Sequence, residues 1–197
     1  MLRQEAFNML TVEDPSPEVL KQRHCMEYIL RSVLEGPNSK DRGNIQERLN
    51  LLVHGPGGCG KSVVTRAAAH MLRQSGRGVL LTAPTGVAAF NINGTTLHFS
   101  LQIPVQNKSY GKVGDVPLPR GERLAILQSH LKHVDVLMVD EMSFVSSDLL
   151  ERMDQHLRLA RDMPHHPFGG VHVSFIGDLY QLPPPGGQAH LHLKTLR

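Results

Sequence analysis

A chain of 197 residues is long enough for one domain with a substantial core and short for two. Apolar residues make up 40% and charged residues 20%, an ordinary globular balance, and a net charge of +3 names no polyanionic partner without a clustered basic surface. Two cysteines, Cys25 and Cys59, exclude a disulfide framework and a CxxC metal or redox pair; with no run long enough to span a bilayer or serve as a secretory signal, a soluble intracellular protein with no membrane partner is expected.

Residues 1–15 carry no periodic pattern and are expected to form a flexible lead-in. Ser16 then supplies an N-cap, Pro17 a first-turn residue and Gly36 a stop, with Val19, Leu20, Met26, Ile29, Leu30, Val33 and Leu34 at helical spacing between them. A polar loop, GPNSKDRGN, leads to the apolar run Leu51-Leu52-Val53, a buried strand that ends at a glycine cluster. The next helix runs from about Gly60 to Gln74, where Ser75-Gly76 ends it. Val79-Leu80-Leu81 is a strand, Thr85 to Phe90 a helical turn, and 102–121 a long loop rich in Pro and Gly. Arg123 to Leu131 is helical, Val134 to Val139 an apolar strand, Leu149 to Ala160 a helix capped by Ser147, and Val171 to Ile176 another strand. Short apolar strands alternating with helices predict an α/β fold whose parallel sheet is covered on both faces.

The segment Gly55-Pro56-Gly57-Gly58-Cys59-Gly60-Lys61-Ser62 fits G-x-x-x-x-G-K-[ST], after a strand and opening a helix. Its glycines let backbone N–H groups turn around a phosphate chain, and the helix N-terminus adds partial positive charge there. Lys61 can reach the β- and γ-phosphates of ATP, the Ser62 hydroxyl can coordinate Mg²⁺, and Cys59 contributes its backbone N–H. Asp140-Glu141 directly follows an apolar strand, which delivers both carboxylates to the carboxyl edge of the sheet. Asp140 suits a Mg²⁺ ligand, directly or through water, and Glu141 suits a base for the water that attacks the γ-phosphate. In Gly177-Asp178-Leu179-Tyr180-Gln181-Leu182-Pro183-Pro184, the Gln181 amide both donates and accepts and can sense the γ-phosphate or that water.

Behind GPGGCGKS, the segments TAPTGVAAFNINGTTLH, VDVLMVDEMSFVSSDLL and PFGGVHVSFIGDLYQLPPP follow in order and closely resemble the Pif-type (petite integration frequency) DNA helicases, in the branch related to Helitron transposons. The resemblance covers about residues 15–185 and implies a P-loop NTPase fold, RecA-like over 16–185, in an ATP-dependent motor moving 5′ to 3′ along single-stranded DNA. It implies work in DNA repair, recombination or genome maintenance, and a nuclear or mitochondrial setting. It assigns Lys61, Asp140, Glu141 and Gln181 to catalysis, Ser62 and Asp140 to Mg²⁺, and Thr85, Gly86, Thr96 and His98 to the DNA backbone, where small and hydroxyl groups position a strand without reading its sequence. Gln22 is matched to an adenine-recognising glutamine, whose amide can pair with N6 and N7.

The family continues into a second RecA-like domain that supplies an arginine finger. Nothing after Gln181 resembles its later motifs, so residues 186–197 are expected to be a tail at the start of that continuation. A rival reading is an ATP-binding module with little turnover and no unwinding of its own. A P-loop kinase would need an arginine-bearing lid and leaves Gly177–Pro184 without a role. His165-His166 and His190-x-His192 lack accompanying metal ligands, and Lys108, Tyr110, Lys112 and Arg120 give the long loop a basic-aromatic character that suits solvent or a nucleic-acid backbone.

Overall fold

The structure, a computed structural model, describes residues 16–35, 48–104 and 117–181. The lead-in 1–15, the Gly36 stop and its loop, Lys108, Tyr110, Lys112, Leu182-Pro183-Pro184, the tail 186–197 and its two histidines lie outside the described residues. Helix α1 (Pro17–Leu34) starts as expected, the Ser16 hydroxyl accepting the Val19 N–H. Then come β1 (Asn50–His54), α2 (Lys61–Gln74), β2 (Val79–Ala83), α3 (Gly86–Asn91), β3 (Thr95–Thr96), α4 (Leu97–Ser100), α5 (Gly121–Leu131), β4 (Val136–Val139), α6 (Ser147–Arg161) and β5 (His172–Gly177). A 3-10 turn, Met142–Phe144, links β4 to α6, and a second, Pro167–Gly170, leads into β5.

All the strand pairings are parallel and the order is β1-β5-β4-β2-β3. Successive residues of β4 face opposite sides: Val136 and Met138 join a core with Met26 and Ile29 of α1 and Leu72 of α2, whereas Leu137 and Val139 join Leu127 of α5 and Met153 and Leu157 of α6. Helices therefore cover both faces, which is why the strands are continuous apolar runs and not alternating ones.

Several expected boundaries move. Helix α5 begins at Gly121 and not Arg123, taking Gly121 from the expected loop, and α3 and β5 each shift by one residue. Two further shifts have clear local causes. Ser146, not Ser147, caps α6: its extended backbone lets the hydroxyl accept the Leu149 N–H at 3.2 Å, and Ser147 is already helical. Strand β4 starts at Val136 because the preceding residues close a turn, the Val134 N–H donating to Leu131 O and the Asp135 carboxylate accepting from Gly78 N. Strand β3 and helix α4 are additions that no apolar run announced.

Candidate functional site

Parallel pairing aligns the carboxyl ends of all five strands on one edge, and the sheet order decides which loops meet there. The loop after β1 lies beside the turn after β5, and the end of β4 comes next. Glycines shape the first loop. Gly60 caps α2 at φ 85°, and a Cβ on it would collide with the Gln22 amide. Gln22 donates from Nε2 to Cys59 O at 2.9 Å, so α1 braces the loop from outside. Cys59 donates its own N–H to Pro56 O at 3.4 Å. Lys61 folds its ammonium under the loop, 2.7 Å from Gly55 O and 2.9 Å from Pro56 O.

Across the gap, the Ser62 hydroxyl donates to Asp140 Oδ2 at 2.9 Å, joining residues 78 positions apart. Asp140 is buried, and its Oδ1 accepts the Glu141 N–H at 3.0 Å. Glu141 adopts the left-handed conformation, φ 53°, which turns the chain sharply into the Met142–Phe144 turn. Gly177 makes room for that turn, since a Cβ there would lie 2.9 Å from Met142 N. Partial burial raises the Glu141 pKa, neighbouring Asp140 adds to the rise, Lys61 opposes it, and Asp178 contributes a further push upward. Gln181 carries its Nε2 to 4.0 Å from where a Gly57 Cβ would stand. Lys61, Ser62, Asp140, Glu141 and Gln181 thus surround one edge of the sheet, with Gln22 behind the loop.

The four positions matched to DNA contact lie at the other end of the same edge. Thr85 follows β2, and Thr96 ends β3, paired with Ala83. Both hydroxyls act as helix caps, accepting from Ala88 N and Phe99 N at 3.3 Å each. Gly86 is exposed, and His98 is half-buried, which lowers its pKa. Beside them Phe90 and Phe99 are exposed. His165 and His166 belong to no metal-binding group of three or more His, Cys, Asp or Glu among the described residues. Arg120 is exposed ahead of α5.

Two polar residues of this edge carried no assignment. Asp178 accepts the Tyr180 N–H on its Oδ1 at 3.0 Å, an Asx turn that an Asp in GDLYQ could have announced. His54 accepts the Leu179 N–H on Nδ1 at 3.2 Å, a contact with no signal in a single sequence.

A phosphate loop between strand and helix, facing an acidic strand end on a parallel sheet, defines a P-loop NTPase of RecA-like type. A family model described as PIF1-like helicase matches residues 22–192, and the chain belongs to that family. It is 34% identical over 159 residues to the ATP-dependent DNA helicase PIF1 of Candida albicans, covering 80% of this chain and 16% of that protein. It is 27% identical over 172 residues to the ATP-dependent DNA helicase PIF3 of Trypanosoma brucei brucei, covering 87% and 18%. Among solved structures, Pif1 helicase from Bacteroides in complex with ADP-AlF3 and ssDNA superposes with a TM-score of 0.63 at 29% identity, covering 85% of this chain and 34% of that one. The chain therefore spans less than a fifth of these two curated relatives and about a third of the solved one.

Proposed function

We propose that this chain is the nucleotide-binding RecA-like domain of an ATP-dependent DNA helicase that moves 5′ to 3′ on single-stranded DNA in nuclear or mitochondrial genome maintenance. The observation that carries the reading is the 2.9 Å contact between Ser62 Oγ and Asp140 Oδ2 beside the Lys61 ammonium. A hydroxyl and one carboxylate are a hard, sparse oxygen set. That fits Mg²⁺, which keeps several waters and shares its coordination with substrate phosphates. When bound, the ion neutralises phosphate charge.

The protein's own groups supply the rest. Lys61 exchanges two neutral carbonyl partners for β- and γ-phosphate oxygens, a charge-assisted gain. Glu141 takes the proton of the attacking water, and Gln181 holds that water or the γ-phosphate. Gln22 recognises adenine from behind the loop. Thr85, Gly86, Thr96 and His98 form part of a DNA track, with bases free to stack on nearby exposed aromatics.

Calorimetric titration with a non-hydrolysable ATP analogue, with and without Mg²⁺, tests the site. Binding that requires Mg²⁺ and is lost in Asp140→Ala supports it, and Mg²⁺-independent binding refutes the metal assignment. Fluorescence anisotropy with mixed-sequence oligonucleotides at two salt concentrations tests the track. Backbone contacts predict weak, sequence-indifferent binding that falls as salt rises.

A further inference from the structure

Strands β1 and β5 run in register until His54 stands opposite Gly177, and the Gly55 N–H to Gly177 O bond at 3.2 Å closes the ladder. Beyond it the chains part. One becomes the phosphate loop, and the other becomes the turn Asp178–Gln181 that carries the γ-phosphate sensor. Within the turn, Asp178 accepts the Tyr180 N–H on its carboxylate and the Gln181 N–H on its carbonyl, at 3.0 and 3.3 Å. Those bonds fix its shape but not its place, and Tyr180 is 91% exposed.

Leu179 packs against the core beside α5 and α6, and the polar contact that holds the turn against β1 comes from His54. Its Nδ1 accepts the Leu179 N–H at 3.2 Å and lies 4.0 Å from Asp178 Oδ1, and its ring meets Tyr180 edge-on with centroids 5.4 Å apart. One imidazole therefore touches three of the four turn residues from the strand that launches the phosphate loop. We propose that His54 is a positioning residue for Gln181, tethering the sensor turn to the base of the phosphate loop through an acceptor at Nδ1. This rests on the reading of Gln181 as the γ-phosphate sensor. The chemistry required is narrow. Only an acceptor one bond beyond Cγ meets the Leu179 N–H, which an Asn Oδ1 reproduces and a Gln Oε1, one bond further out, does not. Without it that N–H loses its partner and the turn its register, while Lys61 keeps its own contacts. Binding that depends on the γ-phosphate should then suffer, and ADP binding should not.

The experiment is calorimetry on the full chain with Mg²⁺ and either ADP or a non-hydrolysable ATP analogue, in His54→Asn, His54→Gln, Gln181→Ala and the double variant His54→Gln/Gln181→Ala. Losing a hydrogen bond to a charged group lowers affinity about tenfold. We expect Gln181→Ala and His54→Gln each to lower the ATP-analogue to ADP affinity ratio by about that factor, His54→Asn to preserve it, and the double variant to fall no further. ADP affinity serves as the control for folding, and His54→Leu is a second variant without an acceptor at the Nδ1 position should the Gln form not fold. A ratio lowered in Gln181→Ala but intact in His54→Gln overturns the His54 role alone. Equal loss in the Asn and Gln variants overturns the acceptor requirement, and an equal loss of ADP affinity shows that His54 merely supports the loop. An unchanged ratio in Gln181→Ala overturns the sensor reading and the proposal together. An amide ¹H–¹⁵N spectrum gives an independent readout: the Leu179 and Gln181 signals should move in His54→Gln and stay near their places in His54→Asn.

Discussion

Lys61 holds its charge against two backbone carbonyls, so its removal should affect nucleotide binding more than the loop itself. Lys61→Ala forfeits charge-assisted contacts of about 1.5–3 kcal/mol, roughly 10- to 100-fold in affinity. Calorimetry with an ATP analogue checks this, and undiminished affinity would sink the phosphate-loop assignment. Glu141→Gln should keep shape and nearly all affinity but remove the proposed base, so hydrolysis per bound ATP should drop steeply. Because burial first and then Asp140 raise the Glu141 pKa, turnover that depends on Glu141 as the proposed base should decline on acidification earlier than an exposed glutamate would dictate. These residues were legible because a phosphate loop and a strand-end carboxylate are fixed by short covalent spacing. Their meeting was not. Ser62 touches Asp140 only because β4 lies one strand away from β1, across β5, an order that spacing cannot convey. His54 was illegible for a related reason, since its partner is a backbone N–H 125 positions away.

At the scale of elements, long periodic runs announced α1, α2 and α6 and short apolar runs the buried strands, whereas the two-residue β3 and the four-residue α4 are too short to carry either signal. They are set instead by tertiary fit: Gly94, just ahead of β3, presses on Leu81 of β2 where a Cβ would overlap the Leu81 carbonyl. The start of α6 shows how adjacent serines confuse a cap. Ser146 has the extended backbone and the accepted N–H, so Ser146→Ala should destabilise the fold by about 1 kcal/mol. Ser147→Ala places a better helix former inside the helix and should be neutral or slightly stabilising. Urea melts of the two variants, compared at constant m-value, decide between them, and equal losses would contradict the observed cap.

Across the whole molecule, the ATP and DNA candidates share one edge of the sheet, while the opposite edge carries a different kind of chemistry. The chain matches about a third of the Bacteroides Pif1 structure, and the family resemblance implies an arginine finger from a second RecA-like domain, worth on the order of 10³- to 10⁵-fold in rate. If that arginine comes from outside residues 1–197, these residues expressed alone should bind Mg-ATP yet turn it over very slowly and unwind no duplex. Steady-state ATPase and fork-unwinding assays check this, with a dilution series to reveal an arginine supplied in trans by a second copy. Acid should act on the fold before that measurement can be pushed far below neutrality. At the amino end of β5, His172 is buried, accepts the Leu49 N–H on Nδ1 at 3.0 Å and has Arg48 Nη1 2.9 Å from Nε2. Desolvation first, then the charges of Arg48 and Arg77, lower its pKa from 6.5 to about 4. Between those values the unfolded chain binds a proton that the folded chain refuses, so stability is complete above about 6.5 and drains away as pH falls towards about 4, by about 3 kcal/mol at most. His98 and His156, also lowered by burial, add in the same direction. His172→Asn keeps an acceptor for Leu49 but cannot titrate, and it should flatten the dependence of urea-melt stability on pH across that window. An unchanged slope would show that His172 is not the group responsible. The same variant separates the two acid effects, because a fall in turnover that persists in His172→Asn belongs to Glu141 and not to loss of the fold.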